Sequence, residues 1–326
     1  MMACPDRHRA SASHQNARLA GVLALVMLML VVSGCASTPQ LAESTRQHLP
    51  RQALLEEVPF HGQRDYQCGP ASLAMVLNAA GVPVTVDTLI PQVFLPGREG
   101  SVQPEMLGTV RRQGRIPFRI DGSLDALLTE INAGHPVVVM QNLSLPAWPV
   151  WHYAVAIGFD RGEKTLTLHS GMEPERLESF KRFDATWARS ERWAFIALPP
   201  GQLPATGDGR AALDAIADFE RVQGVSASLP AWTALVEHHP DLAMGHFALG
   251  SARHAAGDAD GAREAFADAV EADPELAVAW LNLGLLHRGQ GSADEARAAL
   301  ERAADLPGPW QAQAQEALAD LPRRAG

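Results

Sequence analysis

The sequence predicts an α+β domain, with helices first and an antiparallel sheet after, followed by an all-α domain. Three observations carry this reading. "PVVVMQN", "WHYAVAIGFD" and "TLTLHS" read as strands, and "DRGEK", Asp160 to Lys164, joins the last two as a hairpin turn. The helical stretches of this half all precede those strands. Beyond "PPGQLPATGDG", Pro199 to Gly209, the chain becomes Ala-rich and repeats itself. The expected organisation is a signal segment over 1–35, a tether over 36–57, the α+β domain over 58–198, a linker over 199–210 and the all-α domain over 211–326.

Composition agrees with two globular domains. The 326 residues are 47% hydrophobic and 20% charged. A formal net charge of -10 argues against a nucleic-acid partner. In the α+β half, "GPASLAMVLNAAG" is a helix with Pro70 suited to its first turn and Gly81 to its C-terminal cap. "TVDTLIPQVF" and "SVQPEMLGTVRRQG" are short helices, "IPFRI" a short strand, and "SLDALLTEINAG" a helix ending at Gly134. "RWAFIAL" is the last strand.

In the Ala-rich half, "HFALGSARHAAGDADGAREAF" from His246 aligns with "WLNLGLLHRGQGSADEARAAL" from Trp280. Gly250 matches Gly284, Gly257 matches Gly291, and Ala262 and Ala265 match Ala296 and Ala299. The offset of about 34 residues and the small residues in fixed register resemble tetratricopeptide repeats, helix–turn–helix units that stack into a superhelix. A third, degenerate copy spans about 211–240. The resemblance implies a groove for a peptide or protein partner and no chemistry of its own.

The N-terminus reads as a targeting segment. Arg7, Arg9 and Arg18 precede the apolar run "LAGVLALVMLMLVV", which is shorter than the roughly 20 residues a membrane-spanning helix needs. It ends in "VSGC", Val32 to Cys35, which resembles a bacterial lipobox. The resemblance implies lipid attachment at Cys35, and Ala36 after it implies sorting to the outer membrane, facing the periplasm. Cys4 then leaves with the signal, and Cys68 is the remaining thiol of the mature chain.

Cys68 stands at the start of a helix, where unpaired N–H groups and the helix dipole favour an anion. The expectation is an acidic, nucleophilic thiol. His152 opens an apolar strand and is placed to take the thiol proton. Gln63, five residues before Cys68, carries an amide that, with the Cys68 backbone N–H, suits an oxyanion. A metal site from Cys68, His61, His152 and His169 matches no standard ligand spacing, and nothing in the pattern calls for a cofactor.

Taken in this order, "QRDYQCGPASLAMVL" and "HYAVAIGFD" resemble papain-like cysteine peptidases, and among them the peptidase C39-like branch that trims double-glycine leaders from bacteriocin precursors. The resemblance covers roughly 58–198. It implies Cys68 as nucleophile, His152 as general base and acid, Gln63 as oxyanion donor, and amide hydrolysis through a thioester. The family's third residue is an Asp on the strand after the histidine. Here that place reads "LTLHSG", with His169 or Ser170 and no carboxylate, while Asp160 lies in the intervening turn. His152 is then oriented by His169, by an amide such as Asn142, or by a backbone carbonyl.

The expected function is a lipid-anchored cysteine peptidase acting on a peptide or protein, with the repeats recruiting a protein partner. A non-catalytic peptide-binding scaffold on the same fold, and a transferase or amidase using the same Cys–His chemistry, are the alternatives. The lipobox reading has a direct check. Metabolic labelling with a fatty-acid analogue should mark the parent chain and not Cys35→Ser; label that persists in Cys35→Ser contradicts it.

Overall fold

The computed structural model describes residues 39–63, 66–94 and 100–322. Cys35 and the signal segment lie outside the described residues. Seven antiparallel strands form one sheet: β1 (Gln52–Leu54), β2 (Ile116–Arg119), β3 (Val137–Asn142), β4 (Trp151–Asp160), β5 (Thr165–Ser170), β6 (Glu173–Ser179) and β7 (Ala194–Leu198). Their order is β2-β7-β3-β4-β5-β6, with β1 paired to β4 beyond the end of β3. β4 alternates between two buried faces, and this produces the apolar run read in its sequence.

On one face lie α2 (Cys68–Ala79), α3 (Val86–Val93) and α4 (Gln103–Arg112). Leu73, Met75, Val76 and Leu77 of α2 pack with Val138, Tyr153, Val155, Ile157 and Phe195 of the sheet. α5 (Leu124–Asn132) and α6 (Phe180–Trp187) supply Leu127, Leu128, Phe183 and Trp187 to the second core, with Val139, Ala154, Ala156 and Leu168 of the sheet. Ser123 caps α5 by accepting from Ala126 N–H, and Ser179 caps α6 by accepting from Arg182 N–H.

The helices and strands expected in this half are present. Two further elements, β6 and α6, arise from "EPERLESFKRFDATW", which carries no clear period. β6 is a mostly exposed, charged edge strand, so burial leaves little alternation in its sequence. Of the expected tether over 36–57, residues 39–57 are described, and they pack on the domain. Residues 43–48 form helix α1 (Glu43–His48), Ala42 N–H donates to Asp125 Oδ1 at 2.8 Å, and β1 pairs Gln52 with Asp160 and Leu54 with Gly158.

The C-terminal helices are α7 (Gly209–Gln223), α8 (Val225–His238), α9 (Ala243–Ala255), α10 (Ala259–Ala272), α11 (Ala277–Gly289), α12 (Ala293–Asp305) and α13 (Gln311–Ala319). The matched glycines mark helix crossings. A Cβ on Gly250 would sit 2.7 Å from the Phe266 ring, and one on Gly284 2.7 Å from Leu300 Cγ. The 34-residue register thus records where α9 meets α10 and α11 meets α12.

The linker is no free joint. The second core runs from the sheet into Ala212, Ile216, Phe219, Trp232 and Leu235 of α7 and α8. Arg111 Nη2 meets Asp218 Oδ2 at 2.6 Å, and Gln223 Nε2 donates to Arg111 O at 2.8 Å. From α5, the fully buried Glu130 side chain accepts from the linker's Ala205 N–H (3.2 Å), Thr206 N–H (2.7 Å) and Thr206 Oγ1 (2.6 Å), with His135 Nδ1 at 2.7 Å. These partners compensate the burial of the acid. Limited proteolysis should therefore spare residues 199–210 in the parent chain. Glu130→Ala should open cleavage at Ala205–Thr206 and cost about 2–3 kcal/mol in denaturant unfolding, from the donors left unpaired. Cleavage of the parent linker at the same rate as the variant would remove Glu130 as the latch.

Candidate active site

The site is built where β5 leaves β4. The β4–β5 ladder runs from Asp160↔Thr165 only as far as Val155↔His169. Tyr153 faces Met140 on β3, but Met140 N–H is spent the other way, on Trp193 O at 3.1 Å. Tyr153 therefore turns its own N–H and C=O toward the side that β5 has vacated. Its N–H meets the Cys68 thiol, and its C=O accepts from Gln63 Nε2 at 3.4 Å.

Gln63 is inserted between the two strands. Its backbone N–H donates to Gly171 O at 3.0 Å, and its Oε1 accepts from Gly171 N–H at 3.1 Å. That commitment of Oε1 fixes which end of the amide faces Tyr153 and Cys68. One of the two Nε2 hydrogens goes to Tyr153 O, and the other has no partner among the described residues.

Cys68 is the first residue of α2, and Pro70 lies in its first turn without a donor to lose. Gly69 is required by a close approach: a Cβ there would stand 2.2 Å from Ser101 Oγ. Ser101 Oγ is buried without a hydrogen-bond partner among the described residues, so the helix start is packed tightly on this side. Tyr66, just before Cys68, has a φ of 62°, a left-handed conformation for a bulky residue in the approach to the thiol.

The electrostatics reverse the expectation for the thiol. Burial pushes the Cys68 thiol up. The N–H groups of Tyr153, Gly69 and Cys68 itself favour the thiolate but do not overcome that burial. His152 moves the other way. Burial, with a smaller contribution from the Arg176 cation, lowers its imidazole to about 4. At neutral pH both groups are uncharged. Among the described residues no hydrogen bond joins His152 to Cys68. The imidazole Nε2 lies 2.9 Å from Ser170 Oγ instead.

Ser170 thus holds the place where the resemblance led to an expected acid, and it is the partner of His152. The two other candidate orienters are engaged elsewhere. His169 pairs with Val155, on the α2 side of the sheet. Its Nδ1 accepts from Glu175 N–H at 3.2 Å, so its proton is on Nε2, which donates to Val58 O at 3.1 Å. It pins the approach segment with Phe60, whose ring lies edge-on at 5.3 Å. Asn142 Oδ1 accepts from Ser144 N–H at 3.1 Å and Val150 N–H at 3.0 Å, closing the β3–β4 hairpin. His61 Nε2 lies 2.8 Å from Asn78 Oδ1. Among the described residues no cluster of three His, Cys, Asp or Glu side chains is arranged to hold a metal ion.

Arg176 was not visible in the sequence because β6 was not. Cross-strand pairing with Leu168 puts it on the sheet face that carries Ser170 and His152. The Tyr153 peptide was missed too, since a backbone group without a ladder partner leaves no mark on residue type.

Residues 55–195 match the Peptidase_C39 like family, and residues 213–277 and 255–312 match the tetratricopeptide repeat. No curated protein matches the chain. Among solved structures, a putative C39-like peptidase from Bacillus anthracis is 18% identical, with 46% of this chain and 98% of that one covered and a TM-score of 0.39. MamA is 20% identical, covering 34% of this chain and 64% of its own, at a TM-score of 0.32. The TPR2B domain of yeast Sti1, in a complex with pHsp70, is 15% identical, covering 34% and 93%, at 0.32.

The two shifted groups give a pH prediction. A preformed thiolate–imidazolium pair would alkylate fast from acid to neutral pH. Here iodoacetamide should react slowly at pH 5–7, with one rise at alkaline pH as the buried thiol ionises. His152→Ala should leave that rise in place. A fast acid plateau that disappears in His152→Ala would overturn the neutral pair.

Proposed function

We propose that this chain, which carries a Peptidase C39-like domain followed by tetratricopeptide repeats, is a thiol peptidase anchored to the bacterial envelope by lipid at Cys35. What supports the reading is two sets of contacts about one strand end. Cys68 and Gln63 meet the Tyr153 peptide, His152 precedes it, and Ser170 holds the imidazole.

With Ser170 Oγ accepting from Nε2–H, the His152 Nδ1 is left as the base. It takes the Cys68 proton as Sγ attacks the scissile carbonyl carbon, so charge separates only in the transition state. The carbonyl oxygen becomes an oxyanion between the Cys68 backbone N–H and the free hydrogen of Gln63 Nε2. Collapse breaks the C–N bond, and the imidazolium returns its proton to the departing amine. Water, deprotonated by the same imidazole, then hydrolyses the thioester. The repeats recruit the substrate or a protein that delivers it.

A hydroxyl orients the ring but carries no charge to stabilise the imidazolium. The resulting weak base also favours a second reading, a peptide-binding scaffold without turnover. Quenched peptides with the full chain separate the two. Turnover that Cys68→Ala abolishes supports the peptidase, and a parent chain that binds peptides without cutting them supports the scaffold. Ser170→Ala should lower kcat on the order of tenfold through lost orientation. Ser170→Asp should raise the His152 pKa and the rate of alkylation near pH 6. An unchanged pH profile in Ser170→Asp would remove Ser170 as the positioning residue.

A further inference from the structure

Arg176 stands near His152 as a cation that the fold leaves open. Its position is built. The β5–β6 ladder steps from Leu168↔Arg176 to Ser170↔Glu173, so β6 carries one extra residue there. Such a bulge bends the strand and re-aims the side chains next to it. Glu175, inside the bulge, has a φ of 52°, a left-handed conformation uncommon outside glycine. It is held by its own N–H, which donates to His169 Nδ1 at 3.2 Å. His169 in turn donates to Val58 O, in the segment that leads to Gln63. The contact that pins the approach segment therefore also fixes the residue before Arg176.

The guanidinium has no comparable hold. Among the described residues Arg176 makes no hydrogen bond, and its one ion pair is with Glu173, at 3.8 Å, whose side chain is 69% exposed. A pair of that length and exposure contributes little. Other arginines of this domain give their donors to the fold. Arg115 Nε and Nη2 bond Ala80 O, Arg189 Nη1 bonds Asn142 O and Ser144 O, and Arg192 holds Asp184 through Nε and Nη2. The buried Glu178, two residues further along β6, faces Arg182 and Gln141 instead. An unpaired cation here works against the chemistry, because it opposes the imidazolium that must form at His152. An anion bound to Arg176 removes that opposition. The planar fork of N–H donors fits a carboxylate, and a polypeptide carries carboxylates at Asp, Glu and its chain end.

We propose that Arg176 is a specificity-determining residue of the site, and that it binds a carboxylate on the leaving-group side of the scissile bond. The inference rests on the peptidase reading for its chemistry. The departing amine takes its proton from the imidazole, so the chain on that side runs past His152. Arg176 lies on the sheet face that His152 and Ser170 share. The carboxylate belongs to an Asp or Glu side chain, or to a chain that ends there. Bound at Arg176, it supplies from the substrate a negative charge near a base whose own partner is a hydroxyl.

The test compares peptides within one protein variant, so that any effect of the substitution on His152 cancels. One pair carries Gly-Gly before the central bond, and Asp or Asn soon after it in a longer, amidated chain. A second pair ends shortly after the bond, as the free acid or as the amide. Cleavage by the full chain is followed by mass spectrometry. Asp over Asn, or acid over amide, should be preferred by about tenfold in kcat/KM, the effect of one charge-assisted hydrogen bond. Arg176→Gln should abolish that preference, and it should keep the parent Tm because Arg176 bonds nothing within the fold. An Asp preference assigns the carboxylate to a side chain, and an acid preference assigns it to the chain end. Equal kcat/KM within both pairs, or a preference that survives Arg176→Gln, overturns the proposal and leaves the peptidase reading standing. If nothing is cut, protection of Cys68 from iodoacetamide is the readout. Protection by an acidic peptide over its neutral match, lost in Arg176→Gln, supports the carboxylate site while the peptidase reading fails. Protection that is absent, equal within each pair, or unaltered in Arg176→Gln overturns the proposal.

Discussion

The site depends on one residue, Tyr153, whose backbone N–H and C=O are left outside the sheet's hydrogen bonding. Met140 commits its N–H to Trp193 O, just ahead of β7, β5 stops pairing at Val155, and Tyr153 is left with a donor and an acceptor pointing into a gap. A buried peptide cannot stay unpaired without a cost of a few kcal/mol. The fold fills the gap with the Cys68 thiol and the Gln63 amide. Register therefore fixes where the thiol and the amide meet the strand, at the residue after His152. Slipping β4 by one residue would turn Tyr153 to the other face and carry His152 with it.

The same burial that fixes the geometry sets the electrostatics. A helix start contributes roughly 0.3–1 kcal/mol to an anion at its end, and up to about 2 in a partly buried setting. Burial can shift a titratable group by several pKa units, each worth about 1.4 kcal/mol. Desolvation therefore wins at Cys68, and with no carboxylate bonded to its ring it wins at His152 as well. Arg176 adds to it by opposing a second positive charge. At neutral pH the thiol and the imidazole are therefore both uncharged.

Much of this was legible in the residues. The period of α2, the apolar run of β4 and the 34-residue register each follow from which side chains are buried, and burial selects residue type. Cys68, His152 and Gln63 stood out for the same reason: few side chains can do nucleophilic or amide chemistry. What was illegible lies in backbone and edge. β6 is charged because an exposed edge is protected by charge, so its sequence looks like a loop. β1 is three residues long, too short for any period to show. His169 and Ser170 are neighbours in sequence, and strand alternation sends one to Val58 and the other to His152. Only the register tells which, and composition does not encode it.

The continuous core bears on how the repeats could serve the site. A flexible linker would let a partner held by the repeats search for Cys68 over a broad volume at a modest effective concentration. Here α7 is built into the second core, and Glu130 holds the linker by three donated hydrogen bonds from Ala205 and Thr206. Repeats and sheet then move as one body, and a recruited segment is presented at fixed reach. Such an arrangement gives a high effective concentration to a partner whose length matches the span, and close to none to one that is too short. Selectivity by span needs no specific contact at the thiol.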